Sequence, residues 1–237
     1  MSGPRGVTGR MNPAKKLIVG VSGVAGSGKT TVAKILDPYG LVTVSLADPI
    51  KRIARDVWSF TDQQLWGSND LRNAPDPRYP RADGSFLTPR DGCQRIGTEG
   101  RECYEYTWVD PCLRTAQQLM QESDLRYRAQ QGLLISPGAA PCCGVVIPDC
   151  RFLHEVQAIQ AIGGIVIRIV RPEAGLPGDA GLHVSETAQA CIPDSHFDHV
   201  VHNIGTISEL RGLILAIVGL DQSLSVGSEE SLGASSV

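Results

Sequence analysis

The stretch "LIVGVSGVAGSGKTTVAKIL", residues 17–36, constrains the fold of this chain more than any other. Gly23, Gly28, Lys29 and Thr30 fit the pattern G-x-x-x-x-G-K-[ST], and the pattern lies between an apolar run and a helical one. Glycines at 23, 26 and 28 let the backbone turn tightly and aim its N–H groups at one point. The helix that follows offers the positive end of its dipole to the same point. Such a loop is a cradle for a row of phosphates. Here it would be made of Gly23, Val24, Ala25, Gly26, Ser27, Gly28, Lys29, Thr30 and Thr31. Lys29 would reach the β- and γ-phosphates of the bound nucleotide, and the Thr30 hydroxyl would ligate Mg2+.

A loop of this type needs a strand before it and a helix after it, and the rest of the chain continues that rhythm. Apolar runs rich in Val and Ile predict strands at Leu17 to Ser22, Leu41 to Leu46, Gly144 to Asp149, Ile165 to Val170 and Asp198 to His202. They are nearly continuous in apolarity, as strands covered on both faces should be. Helical patterns fill Lys29 to Leu36, Pro49 to Trp58, Phe152 to Ile162 and Ile207 to Val218. Strand alternating with helix implies an α/β fold with a parallel sheet and right-handed crossovers.

One gap breaks the alternation. The chain between the second and third strand candidates holds 12 of the 22 Lys and Arg residues, nearly all of them Arg. It contains a Pro/Gly-rich loop, "NAPDPRYPRADGSFLTPRDG", and a helical stretch, "PCLRTAQQLMQESDLRYRAQQ". So long a gap is not a bare loop, and residues 59–143 read as an inserted, mainly helical region. Its arginines suit phosphate and carboxylate oxygens, or else form an ordinary solvated surface. Its aromatics, Trp66, Tyr104, Tyr106 and Trp108, and Trp58 just before it, either stack a base or fill a core. The ends of the chain differ from the middle. Residues 1–14 read as a flexible leader and 221–237 as a flexible tail, leaving 15–220 as one domain.

In doubly wound sheets ligands gather beyond the C-terminal ends of the strands, which marks several residues. Asp48 precedes Pro49 at the second strand's exit and reads as an N-cap, with Lys51, Arg52 and Arg55 on the helix that follows. Asp149 ends the third strand and can hold Mg2+ directly or through water, or cap the next helix. Arg151 lies just beyond it. Arg171 follows the fourth strand and opens a Pro/Gly-rich loop at about 171–190, a candidate lid from which an Arg could close over phosphates. Asn203, Gly205 and Thr206 form the turn after the fifth strand, where the base of a bound nucleotide would lie. Thr206 and Glu209 have the spacing of a capping box.

The bulk numbers exclude other classes. A net charge of -3 and a pI near 5.9 provide no field for a nucleic-acid polymer or an anionic membrane. No apolar run is long enough to span a bilayer. Seven cysteines with no CxxC pair argue against a disulfide framework and for reduced thiols in a cytoplasmic protein. No guanine-specific NKxD motif marks a switch.

In this order along the chain, "GVAGSGKTT", "SLADPIKRIA", "QRIGTEGRE", "VIPDCRFLHEV", "HVSETA" and "HNIGTISEL" resemble the phage-type deoxynucleoside monophosphate kinases, within the P-loop nucleoside monophosphate kinase-like group. The resemblance implies a three-layer α/β/α fold. Its five-stranded parallel sheet would have the phosphate-loop strand in the middle, with an inserted helical monophosphate-binding region and a lid. It implies transfer of the γ-phosphate of ATP, with Mg2+, to a deoxynucleoside 5′-monophosphate. By likeness, Arg101 and Arg95 grip the acceptor phosphate, and His183, Ser185 and Glu186 belong to the lid. Lys29, Arg151 and Arg171 would be catalytic, and Asp48, Lys51, Arg95, Arg101 and Glu186 would face the acceptor. Partners would be small nucleotides, and a homodimer is compatible with this. The alternative is a P-loop kinase of another small acceptor, such as dephospho-coenzyme A, in which Asp48 would serve as base toward a hydroxyl.

Overall fold

The computed structural model describes residues 16–130, 144–172, 174, 188–189 and 191–220. The expected leader, tail and most of the expected lid, with His183, Ser185 and Glu186, lie outside the described residues.

The apolar runs become strands β1 (Leu17–Ser22), β2 (Leu41–Thr43), β3 (Gly144–Cys150), β4 (Ile165–Val170) and β5 (His199–His202). Among the described residues they form one sheet in the order β2-β3-β1-β4-β5, and every pairing is parallel. The phosphate-loop strand is therefore central, as the resemblance implies. β2 is shorter than its apolar run. Val44 still donates its N–H to Val146 O at 2.9 Å, but the next three residues turn away to meet the β3 terminus.

Side chains alternate across the sheet and divide the core in two. Val19, Val21, Val146, Ile167 and Ile169 pack on α1 (Lys29–Leu36) and the last helix (Ile207–Ile217). Val145, Ile147 and Val166 face the other way, onto α6 (Val109–Gln130) and α7 (Leu153–Ala161). The result is the three-layer α/β/α arrangement. The final helix, α8, starts at Thr206, whose hydroxyl accepts from Glu209 N while the Glu209 carboxylate accepts from Thr206 N, the capping box its spacing predicts.

Between β2 and α6 run four helices: α2 (Asp48–Trp58), α3 (Asp62–Trp66), α4 (Asn69–Asn73) and α5 (Pro89–Cys103). They enclose a small core of their own, built from Ala54, Phe60, Leu65 and Leu87 with Trp58, Tyr79, Cys93 and Ile96 against it. The Pro/Gly-rich loop that crosses this core is anchored by buried Asp76. Its carboxylate takes hydrogen bonds from Arg78 and Gln64, and Asp76 N donates to Leu87 O. The Arg78 guanidinium holds this carboxyl far below the ordinary range.

"QRIGTEGRE" forms part of helix α5, despite two glycines that disfavour a helix. Neither Gly97 nor Gly100 has a positive φ. They are there for closeness. The Trp108 indole lies on Gly100, where a Cβ would collide with the ring, and its Nε1 donates to Gly97 O at 2.9 Å. Gly92 makes the same allowance for Trp58, whose ring would be 2.7 Å from a Cβ. Packing thus supplies what helix propensity withholds. Gly100→Ala is expected to destabilise the fold by about 1–3 kcal/mol through overpacking. Gly212→Ala, in α8 where a Cβ meets nothing, is expected to be neutral or to gain up to ~1 kcal/mol. Urea denaturation midpoints of the two variants check this.

Candidate active site

Three residues of the phosphate loop, Gly23, Gly26 and Gly28, have φ of 145°, 79° and 114°, in the left-handed range that side chains avoid. Two of them are also in close contact with their surroundings. A Cβ on Gly23 would strike Ile169 O, and one on Gly28 would lie 2.6 Å from Asn203 Nδ2. That amide donates to Ser27 O at 2.8 Å, and Asn203 N donates to Val170 O at 2.8 Å. Asn203 is thus a brace beneath the loop. The Lys29 ammonium folds over the loop, donating to the carbonyls of Gly23 and Val24.

From this loop a cavity of about 340 Å³ runs into the inserted helices. Ala25, Gly26, Lys29 and Thr30 line its loop end, and Asp149, Arg151 and Glu155 line its side. Lys51 of α2, Arg72 of α4, and Arg90 and Arg101 of α5 line the far part. The cations feel each other. Burial first, then Arg72, lowers the Lys51 pKa, and burial first, then Arg90, lowers that of Arg72. Burial likewise lowers the Arg101 pKa, partly offset by Glu155, with Arg151 adding to the fall. Lys51, Arg72 and Arg101 are thus each held in surroundings that disfavour their charged form, on the wall of one cavity.

The side chains are held in place. The Arg101 guanidinium lies over the Phe152 ring at 4.4 Å, and Arg90 donates to Asn69 Oδ1 at 2.8 Å. Lys51 lies over the Trp66 ring at 5.3 Å. Asp149 accepts from Ser45 Oγ at 2.5 Å and from the N–H groups of Leu46 and Ala47 at 3.0 Å each. It therefore serves the start of α2 across the sheet and leaves the start of α7 to Glu155, which accepts from Arg151 N and Phe152 N.

Of the residues marked by sequence, Lys29, Thr30, Lys51, Arg101, Asp149 and Arg151 meet at the cavity. Asp48 does not line it and is not the N-cap of α2, a position held by Ala47. Its carboxylate instead accepts from Trp66 Nε1 at 2.9 Å and Ser45 N at 3.2 Å. Arg95 points away from the cavity and is 71% exposed, with Asp91 as an ion-pair partner. Arg171 is exposed at the end of β4. Gly205 is exposed in the turn after Asn203, and Glu186 is outside the described residues. Arg72 and Arg90 were lost in the sequence among many arginines. Their one signal was density of Arg in a segment that had to fold next to the loop.

Fold and loop together define a P-loop nucleotide-binding protein of the three-layer α/β/α type. No protein-family model matches the chain. It is 30% identical over 203 residues to a protein of Acanthamoeba polyphaga mimivirus assigned as a deoxynucleotide monophosphate kinase, covering 85% of this chain and 96% of that one. The chain belongs to the deoxynucleotide monophosphate kinase family. This relative comes from a giant virus, not from a bacteriophage. Solved structures with a similar course include a Thermus thermophilus protein (21% identical, 87% and 98% of the two chains covered, TM-score 0.44). Another is the dephospho-CoA kinase of Campylobacter jejuni (13% identical, 86% and 96% covered, TM-score 0.38).

Glu155 makes the site's electrostatics measurable. Burial raises its carboxyl from the ordinary 4.5 to about 7, against the two amides that favour the charged form. Between these two values the native chain holds a proton that the unfolded chain has released. Stability should therefore fall as pH rises through this window, by on the order of 3 kcal/mol. In Glu155→Gln this part of the slope should vanish, as read by urea denaturation at pH 4.5 and 7.5.

Proposed function

We propose that this chain transfers the γ-phosphate of ATP to a deoxynucleoside 5′-monophosphate, giving the diphosphate. The observation that carries this reading is the single cavity joining the phosphate loop to the cationic face of α2, α4 and α5. Donor phosphates would lie on the loop amides and Lys29. The acceptor phosphate would lie among Lys51, Arg72, Arg90 and Arg101, within reach of the loop. An acceptor phosphate is largely ionised at neutral pH and needs no base, so positioning and charge neutralisation do most of the work.

The donor set suits Mg2+, a hard cation that takes oxygen ligands. Thr30 and Asp149 face the same cavity, and Asp149 Oδ1, which accepts only from Leu46 N, keeps a lone pair, while Oδ2 accepts from both Ser45 Oγ and Ala47 N. When bound, Mg2+ would neutralise charge on the β- and γ-phosphate oxygens. Arg151 lines the wall between the two halves and would counter charge on the group in transit. Arg171, at the root of the expected lid, would act only on closure, together with Glu186. Asn203 and Gly205 would sit beside the ATP base. A hydroxyl acceptor with Asp48 as base finds less support, because Asp48 is engaged by Trp66 and Ser45 outside the cavity.

A coupled assay with ATP, Mg2+ and each deoxynucleoside monophosphate should show turnover on at least one, and none on any would end this reading. Lys29→Ala should lower kcat by about 10²- to 10³-fold with the fold intact. Arg101→Ala should raise the acceptor KM by about 10- to 100-fold, the worth of one or two charge-assisted hydrogen bonds, and leave the KM for ATP alone. Arg95→Ala should behave like the wild type in both constants.

A further inference from the structure

Strands β1 and β3 do not keep one register to the end. Gly20 faces Ile147, but Ser22 faces Cys150. One residue of β1, Val21, therefore spans the same length as Pro148 and Asp149 of β3. The extra residue is a bulge, at a proline that has no N–H to give to a ladder. In unbroken register Asp149 would face Ser22. With the bulge its carboxylate is turned to Ser45, Leu46 and Ala47 at the cavity edge.

A bulge between two strand ends has little to hold it, and here a side chain from a distant part of the chain closes it. Gln189 is 1% exposed. Its Nε2 donates to Ser22 Oγ at 3.0 Å and to Cys150 O at 2.9 Å. Ser22 is the last residue before the phosphate loop, and Cys150 is the first after Asp149. Both are fully buried, so removing Gln189 would take a donor from each where water does not replace it. One amide thus ties the strand that carries the loop to the strand that carries the acid.

We infer that Gln189 is a positioning residue, which fixes the Pro148–Asp149 bulge and through it the direction of the Asp149 carboxylate relative to Thr30. Its effect on turnover rests on the kinase reading above, while its effect on the bulge does not. Amide hydrogen exchange separates the two. The N–H groups of Leu46 and Ala47 are protected by Asp149 and sit on another element from Gln189. In Gln189→Met, which keeps length and loses the donor, their exchange should quicken about tenfold, the worth of one buried hydrogen bond, while the amides of β4 keep their rates. Turnover should fall by a similar factor with the KM for ATP little changed, and the Mg2+ concentration for half-maximal rate should rise.

Unchanged exchange at Leu46 and Ala47 would overturn the inference. So would exchange that rises there and in β4 alike, since that marks general loosening. If Gln189→Met does not fold, Ser22→Ala removes one of the two partners and carries the same exchange test. A wild-type protein with no kinase activity on any deoxynucleoside monophosphate would overturn the functional reading and leave the exchange result to stand or fall alone.

Discussion

A loop whose shape depends on three glycines with positive φ has few side chains of its own to hold it, so it must be held from outside. Everything near the site is arranged around that need. The central place of β1 puts a neighbour on each side of the loop's root, β3 on one side and β4 on the other. The β4 backbone presses on Gly23 at Ile169 O, and Asn203 at the end of β5 holds Ser27 O. Lys29 closes the loop over its own carbonyls. The loop is thus pre-shaped before any phosphate arrives, and little ordering remains to oppose binding.

The cavity beyond the loop shows the opposite economy. Its cations are fixed in place by other groups, Arg101 by Phe152, Arg90 by Asn69 and Lys51 by Trp66, in surroundings that disfavour charge on several of them. Burial and mutual repulsion lower the pKa of Lys51, Arg72 and Arg101 alike. The carboxylates nearby offset this only in part, Asp48 and Asp149 for Lys51 and Glu155 for Arg101, and Glu155 is itself pushed toward its neutral form. On the reading proposed above, a dianionic phosphate among these groups would favour their charged forms.

The sequence reveals the phosphate loop, the five strands and the α8 capping box because each depends on neighbours in the chain. Lys29 and Thr30 follow from spacing alone, and Thr206 with Glu209 likewise. What it conceals depends on residues far apart. The Pro148–Asp149 bulge exists only when β3 lies beside β1, and Gln189 reaches it from 39 residues away. Asp48 looks like an N-cap because Asp-Pro is a common helix start, but in the fold Ala47 holds that position and the Asp48 carboxylate accepts from Trp66 Nε1 and Ser45 N. Gly97 and Gly100 suggest irregular backbone because glycine usually marks a turn. Their meaning depends on Trp108, whose position no local pattern gives.

The same two glycines connect the inserted region to the site. α5 carries Arg90 and Arg101 into the cavity, yet its sequence, with glycines at 92, 97 and 100, would not hold a helix alone. It is a helix because Trp58 and Trp108 fill the space that missing side chains leave. Trp108 itself lines the cavity and donates to the α5 backbone, so one indole both shapes the site wall and supports the helix that bears the cations. A ligand that bridges Arg101 on α5, Arg72 on α4 and Lys51 on α2 would add a second tie between the same elements. Binding free energy and the stability of the inserted helices are then coupled through shared contacts, since whatever favours the bound arrangement also favours the folded one.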